Sequence, residues 1–137
     1  MHSSLLRWLF ANRDGGAAVE FALGMPVLLL AMLGVVEFGR LLWTQNALHY
    51  AVQEAARCMT FDTTTCNNTT NTQTFAASIS GEVFPGSVFT PSTSAGGATC
   101  GAGISGNKVA ASYPFHFSTS LFQYNITLTA QACYPAT

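Results

Sequence analysis

The chain is 137 residues long, with 49% hydrophobic residues and only 8% charged, where an ordinary soluble domain carries about 25% charged. Its five basic and six acidic side chains give a net charge of −1, so there is no basic field to hold nucleic acid and no nucleic-acid partner is expected. Aromatic residues make up 12% of the chain and supply the burial that disordered chains lack, so the imbalance calls for a bilayer or a large partner surface rather than disorder.

The first residues, with Arg7 and Arg13 as their only basic side chains, precede an apolar run, which is the layout of a secretory leader. Ordinary signal-peptide removal is not expected. The run is longer than a standard hydrophobic region, Glu20 interrupts it early, and no small-x-small cleavage site follows before the polar stretch around Asn46 to Arg57. Lipoprotein processing is equally poor, because Arg57 precedes Cys58 where small apolar residues are needed.

Residues 21–36 contain no charge, and a stretch rich in Leu, Val and Ala continues past Glu37 and Arg40 to Trp43. A spanning helix needs roughly 20 apolar residues, so residues 17–43 predict one membrane helix, with Glu20 near one bilayer face and Glu37 and Arg40 near the other. Pro26 removes a backbone donor and predicts a kink. Beyond the span, Leu41, Leu48, Val52, Ala55 and Met59 recur at helical spacing, while Asn46, His49, Gln53, Glu54 and Arg57 fall on other faces. No Gly or Pro interrupts residues 40–61, so residues 17–59 predict one helix of roughly 65 Å at 1.5 Å per residue.

The texture changes at Asp62. Residues 63–74 hold seven Thr and three Asn with neither helical nor alternating periodicity, and read as an exposed loop. Residues 75–83 suit a short helix, and residues 91–107, rich in Gly, Ser, Ala and Thr, read as a second loop. Residues 108–118 and 124–133 are rich in Val, Tyr, Phe, Ile and Thr. Ile126, Leu128 and Ala130 alternate there with Thr127, Thr129 and Gln131, which predicts two strands joined around residues 118–123.

All four cysteines, Cys58, Cys66, Cys100 and Cys133, follow the apolar segment. An oxidising compartment is the simplest reading, and a domain of this size gains from disulfides. Local spacing favours Cys58 with Cys66 and Cys100 with Cys133 among the three possible pairings. A zinc site is not expected, since no cysteine pair has C-x-x-C spacing and His2, His49 and His116 are dispersed. Basic residues flank the span on both sides, so the cysteines decide its orientation: N-terminus cytoplasmic, C-terminal domain periplasmic or extracellular.

Ionisable groups near membrane depth are costly and are functional candidates by default. Glu20 is first among them. It follows Gly15 by five residues in the run Gly15, Gly16, Ala17, Ala18, Val19, Glu20, Phe21 at the head of the apolar helix, an arrangement that resembles the processing site of type IV prepilins. Arg13 to Leu23, Pro26, Leu28 to Leu30, the stretch Gly34 to Arg40 and the stretch Ala51 to Arg57 together resemble the TadE-like family of minor pilins or pseudopilins of the tight-adherence (Flp) pilus system. A looser similarity touches Ala111 to Phe115 and Leu128 to Ala132.

The resemblance implies cleavage after Gly15 by a prepilin peptidase, which makes Gly16 the new N-terminus and Glu20 the fifth residue. Cutting after Gly16 would make Glu20 the fourth. It implies that Glu20 neutralises the freed ammonium, its own or a neighbour's, inside an apolar helix bundle where an unpaired charge is expensive. Implied partners are the peptidase, other pilins and pseudopilins of the same system, the inner-membrane assembly platform and the lipid bilayer. Glu37 and Arg40, at i and i+3, suit an ion pair on one helix face, at the outer membrane boundary or between subunits.

Catalytic constellations are absent from the sequence: no Gly-x-Ser-x-Gly elbow and no Gly-Lys-Ser/Thr phosphate loop occurs, and no enzyme activity or cofactor is expected. The expected architecture is an α+β single-pass membrane protein: a leader over 1–15, a membrane-spanning and amphipathic helix over 16–60, and a small disulfide-tied domain over 61–137 with a short antiparallel sheet. The competing expectation is a membrane-anchored adhesion or ligand-binding module that is never cut.

Overall fold

The computed structural model describes residues 15–81, 83–117 and 124–136. The expected leader, apart from Gly15, and the connection at residues 118–123 lie outside the described residues. The element order is α1 (Gly16–Phe61), α2 (Thr69–Ile79), β1 (Phe89–Ser92), β2 (Gly106–His116) and β3 (Asn125–Pro135), with short 3-10 turns at Gly86–Val88 and Ser94–Gly96. The chain divides into two compact units at Phe38 and Gly39, within α1.

The first unit contributes the N-terminal half of α1. Every side chain from Gly15 to Val36 is exposed, although this is the most apolar stretch of the protein, with a mean hydropathy of 2.2 over its best window. Leucines, valines and methionines left uncovered in this number call for a bilayer or a partner surface to cover them. Among the described helices, α1 is the one long and apolar enough to cross a membrane. Helical backbone continues through Pro26 to Phe61, so the proline does not divide the element.

The second unit has the C-terminal half of α1 as the backbone of its core. Leu48, Ala51, Val52, Ala55 and Ala56 are fully buried there, with Met59 nearly so. They recur at three- and four-residue intervals, the stripe that an amphipathic helix presents to a core. Against them the sheet sets Val109, Ala111 and Phe115 from β2 and Leu128 and Ala130 from β3. The inward residues alternate along both strands, as period-two geometry requires. The alternation of Ile126, Leu128 and Ala130 read from the sequence is this inward face. Phe84 completes the core, edge-on to Tyr113 at 4.9 Å and to Phe89 at 6.2 Å between ring centroids.

The sheet is antiparallel in the order β1-β2-β3, one strand more than the sequence predicts. β2 and β3 pair along their whole length, from Gly106 opposite Pro135 to His116 opposite Asn125. β1 pairs only with Lys108 to Ala111 of β2. Its Pro91 sits on an edge strand, where a missing donor is tolerated, and Pro114 of β2 lies beyond the reach of β1. Part of the stretch read as a loop over 91–107 is therefore strand, because Phe89 is drawn into the core and brings its neighbours into register with β2.

The Thr/Asn tract also needs correction: residues 69–74, read as loop, form the first half of α2. Threonine is a poor helix former, but Asn68 supplies an N-cap, accepting from the Asn71 backbone N–H at 2.8 Å. The Thr72 hydroxyl donates to the Asn68 carbonyl at 2.9 Å, and Thr72 and Ala76, one turn apart, are both fully buried. The helix then ends at Ile79, short of the expected Val83, where Gly81 takes a left-handed φ of 67°.

Candidate functional site

Gly16 is the first residue of α1 and Glu20 the fifth. Both, like Gly15, are exposed. A carboxylate four residues into a helix lies one turn along the face of its first residue. An ammonium created at Gly16 would stand at the positive end of the helix dipole, where it is disfavoured, and the Glu20 carboxylate is placed to offset it. The geometry therefore suits charge neutralisation, either within the chain or toward a neighbouring helix.

Glu37 is half-buried and Arg40 exposed, three residues apart in α1. The Arg40 guanidinium lies over the Phe115 ring at 5.5 Å from its centroid, a cation–π contact across a sequence distance that no local pattern reveals. The buried Thr44 hydroxyl turns back to donate to the Arg40 carbonyl at 2.8 Å. One turn on, the Gln45 amide donates to the edge carbonyl of Thr129 in β3 at 3.1 Å and meets the His49 ring at 2.8 Å. These polar contacts set the sheet against α1 along a face that begins at Arg40.

The four cysteines form two disulfides. Cys58–Cys66, with Cα atoms 5.8 Å apart, clamps the last turn of α1 to the loop that follows. Cys100–Cys133, at 5.4 Å, ties the Gly-rich segment to β3. These are the pairs that local spacing favours. Inside the loop closed by Cys58–Cys66, Asp62 organises the turn. Its carboxylate accepts from the hydroxyls of Thr64 at 2.6 Å and Thr65 at 2.7 Å and from both backbone N–H groups. Those bonds, the Thr64 hydroxyl first and the Thr65 hydroxyl second, hold its pKa down from 3.8 to about 2.

Among the described residues no group of three or more His, Cys, Asp or Glu side chains is close enough to hold a metal ion. Residues 15–57 match the family model of the TadE-like proteins. This segment is TadE-like. It begins at Gly15 and runs through Glu20, Glu37 and Arg40 to Arg57, under half of the chain. No curated protein and no solved structure matches significantly.

Sequence reasoning missed Trp43, Tyr113, Phe115 and His116 as a group. With Arg40 they line one groove of the second unit. The signal available was the placement of Arg40 and Trp43 at the end of the apolar run; the strand residues that join them are set by the sheet register.

Proposed function

We propose that this TadE-like chain is a minor pilin or pseudopilin. A prepilin peptidase cuts it after Gly15, and it then takes part in assembling a tight-adherence pilus used in surface attachment or linked to secretion. Its role is structural, not enzymatic. The observation that carries the reading is a coincidence of three positions: the TadE-like match starts at Gly15, α1 starts at Gly16, and Glu20 is the fifth helical residue.

In this reading α1 spans the inner membrane, with the N-terminus cytoplasmic and the second unit in the periplasm, where two disulfides persist. The exposed apolar stretch of residues 17–36 rests in lipid before assembly and against the helices of other pilins afterwards, extracted through the assembly platform. Glu20 makes that transfer tolerable by neutralising an ammonium that would otherwise be buried alone.

Intact mass and N-terminal sequencing of the protein from its native host membrane test the cleavage. A chain starting at Gly16 is expected, and one starting at Met1 when the peptidase is deleted. A chain still starting at Met1 with the peptidase present overturns the reading and leaves a permanently anchored periplasmic module. Glu20→Gln separates assembly from anchoring: the variant is expected to insert in the membrane normally and to lose pilus assembly.

A further inference from the structure

Lys108 is the single lysine of the chain. It stands opposite Ser92 of β1 and Cys133 of β3, on the outer face of the sheet, where it alternates with the buried Val109. Its ammonium makes no hydrogen bond and no ion pair among the described residues. Beside it lies a pocket of about 310 Å³, whose lining also includes Thr99, Gly101, Gln131 and the Cys100–Cys133 disulfide. No carboxylate and no aromatic ring is among its described lining residues.

The walls are held in place before any ligand arrives. Gly101, Ala102 and Gly103 take φ of 54°, 37° and 78°, a left-handed turn closed by the Cys100 N–H on the Ile104 carbonyl at 2.6 Å and the Ile104 N–H on the Gly101 carbonyl at 3.0 Å. Those bonds leave the Gly101 N–H without a backbone acceptor among the described residues. The disulfide ties this turn to β3 two residues from Gln131, so the ordering cost of binding is reduced in advance.

One cation and no anion set the charge of the guest. A carboxylate matches a single ammonium, whereas a phosphate monoester carries about −1.5 to −2. The neutral lining narrows the choice further. The Thr99 hydroxyl and the Gln131 amide each hold an acceptor as well as donors, and a bare carboxylate has no hydrogen to offer them. A carboxylate flanked by hydroxyls does. We propose that this pocket binds a uronate residue of an acidic polysaccharide, with Lys108 and the Gly101 N–H on the carboxylate and Thr99 and Gln131 on the ring hydroxyls. Every residue of the site lies in the second unit, so binding depends neither on cleavage after Gly15 nor on the membrane span.

The test uses the full chain in a non-ionic detergent. A single lysine makes the side-chain carbon resonance of labelled Lys108 an unambiguous reporter, and the backbone amides of Gly101 and Gln131 serve where Lys108 is replaced. Sodium glucuronate should shift all three saturably; glucose and sodium chloride at equal ionic strength should not. Lys108→Gln should weaken binding roughly tenfold, as loss of a charge-assisted hydrogen bond implies, and Lys108→Arg should restore part of it. Gln131→Ala should weaken glucuronate and leave acetate unchanged. Arg57→Gln, exposed on α1, should titrate like the parent, and amide resonances outside the pocket report whether each variant keeps its fold.

An absent or unsaturable shift, or one that chloride reproduces, overturns the site. Acetate binding as tightly as glucuronate overturns the sugar, because the hydroxyls then add nothing and an acidic side chain of a protein would serve as well. Phosphate binding more tightly than glucuronate overturns the choice of a carboxylate. A chain that still starts at Met1 and binds glucuronate loses the processing reading alone, whereas one that starts at Gly16 without binding loses only this site.

Discussion

Asn107 reaches across the second unit to the backbone carbonyl of Met59: its side-chain amide donates there at 3.1 Å and approaches the Thr60 hydroxyl at 3.3 Å. Its oxygen accepts from the Ser94 N–H at 3.0 Å. One side chain near the start of β2 thus satisfies a carbonyl in the last turn of α1, where helices leave acceptors without partners, and fixes the segment before β2.

Replacing Asn107 by Ala removes these bonds and leaves the groups they served to water or to nothing. The expected loss is about 1–3 kcal/mol, read as a lowered denaturation midpoint in near-UV circular dichroism of the detergent-solubilised chain. A change below a few tenths would mean that solvent replaces the contacts without cost.

The two disulfides close loops of different size, with sequence separations of 8 and 33. Chain-entropy scaling gives about 2.5 kcal/mol for the first and about 3.7 kcal/mol for the second. Removing Cys100–Cys133 by paired Ser substitution should therefore destabilise the second unit more than removing Cys58–Cys66, by about 1 kcal/mol. The reverse order would show that the clamp at the end of α1 does more than restrict the unfolded chain.

The Asp62 turn gives a pH dependence with a definite sign. The carboxyl titrates lower in the folded chain, at about 2 against an ordinary 3.8, so its stabilisation is complete above the unfolded value and is lost as pH falls through the folded one. Thr64 and Thr65 amide chemical shifts should move together on acidification toward pH 2 and be insensitive over that range in Asp62→Asn. A midpoint near the ordinary value would show that the four hydrogen bonds are not maintained in solution.

Gly106 is buried at the first position of β2. A Cβ there would collide with the Cys100 sulfur and the Tyr134 carbonyl, one held by a disulfide and the other by the strand ladder. Gly106→Ala should cost about 1–3 kcal/mol and slow formation of the Cys100–Cys133 bond during oxidative refolding. Unchanged stability and oxidation would mean that the strand start shifts freely.

Local pattern and composition are enough to determine α1 from Gly16 to its last turns, because an uncharged run followed by a helical stripe through Leu48, Val52, Ala55 and Met59 depends only on neighbours a few residues apart. The paired strands β2 and β3 are legible for the same reason, from alternation at Ile126, Leu128 and Ala130. The positions Gly15, Gly16 and Glu20 are equally local, which is why their spacing is readable as a processing motif.

Tertiary structure decided the rest. α2 begins at a threonine-rich tract whose intrinsic propensity is against it; burial of Thr72 and Ala76 and the Asn68 cap outweigh that preference. β1 is four residues long and becomes a strand only because β2 offers it a ladder and the core accepts Phe89. The groove around Arg40 joins side chains from α1 and β2 more than 70 residues apart. Its members meet only after the sheet has packed on the helix, since strand register, rather than any spacing in the sequence, brings Phe115 beneath the guanidinium.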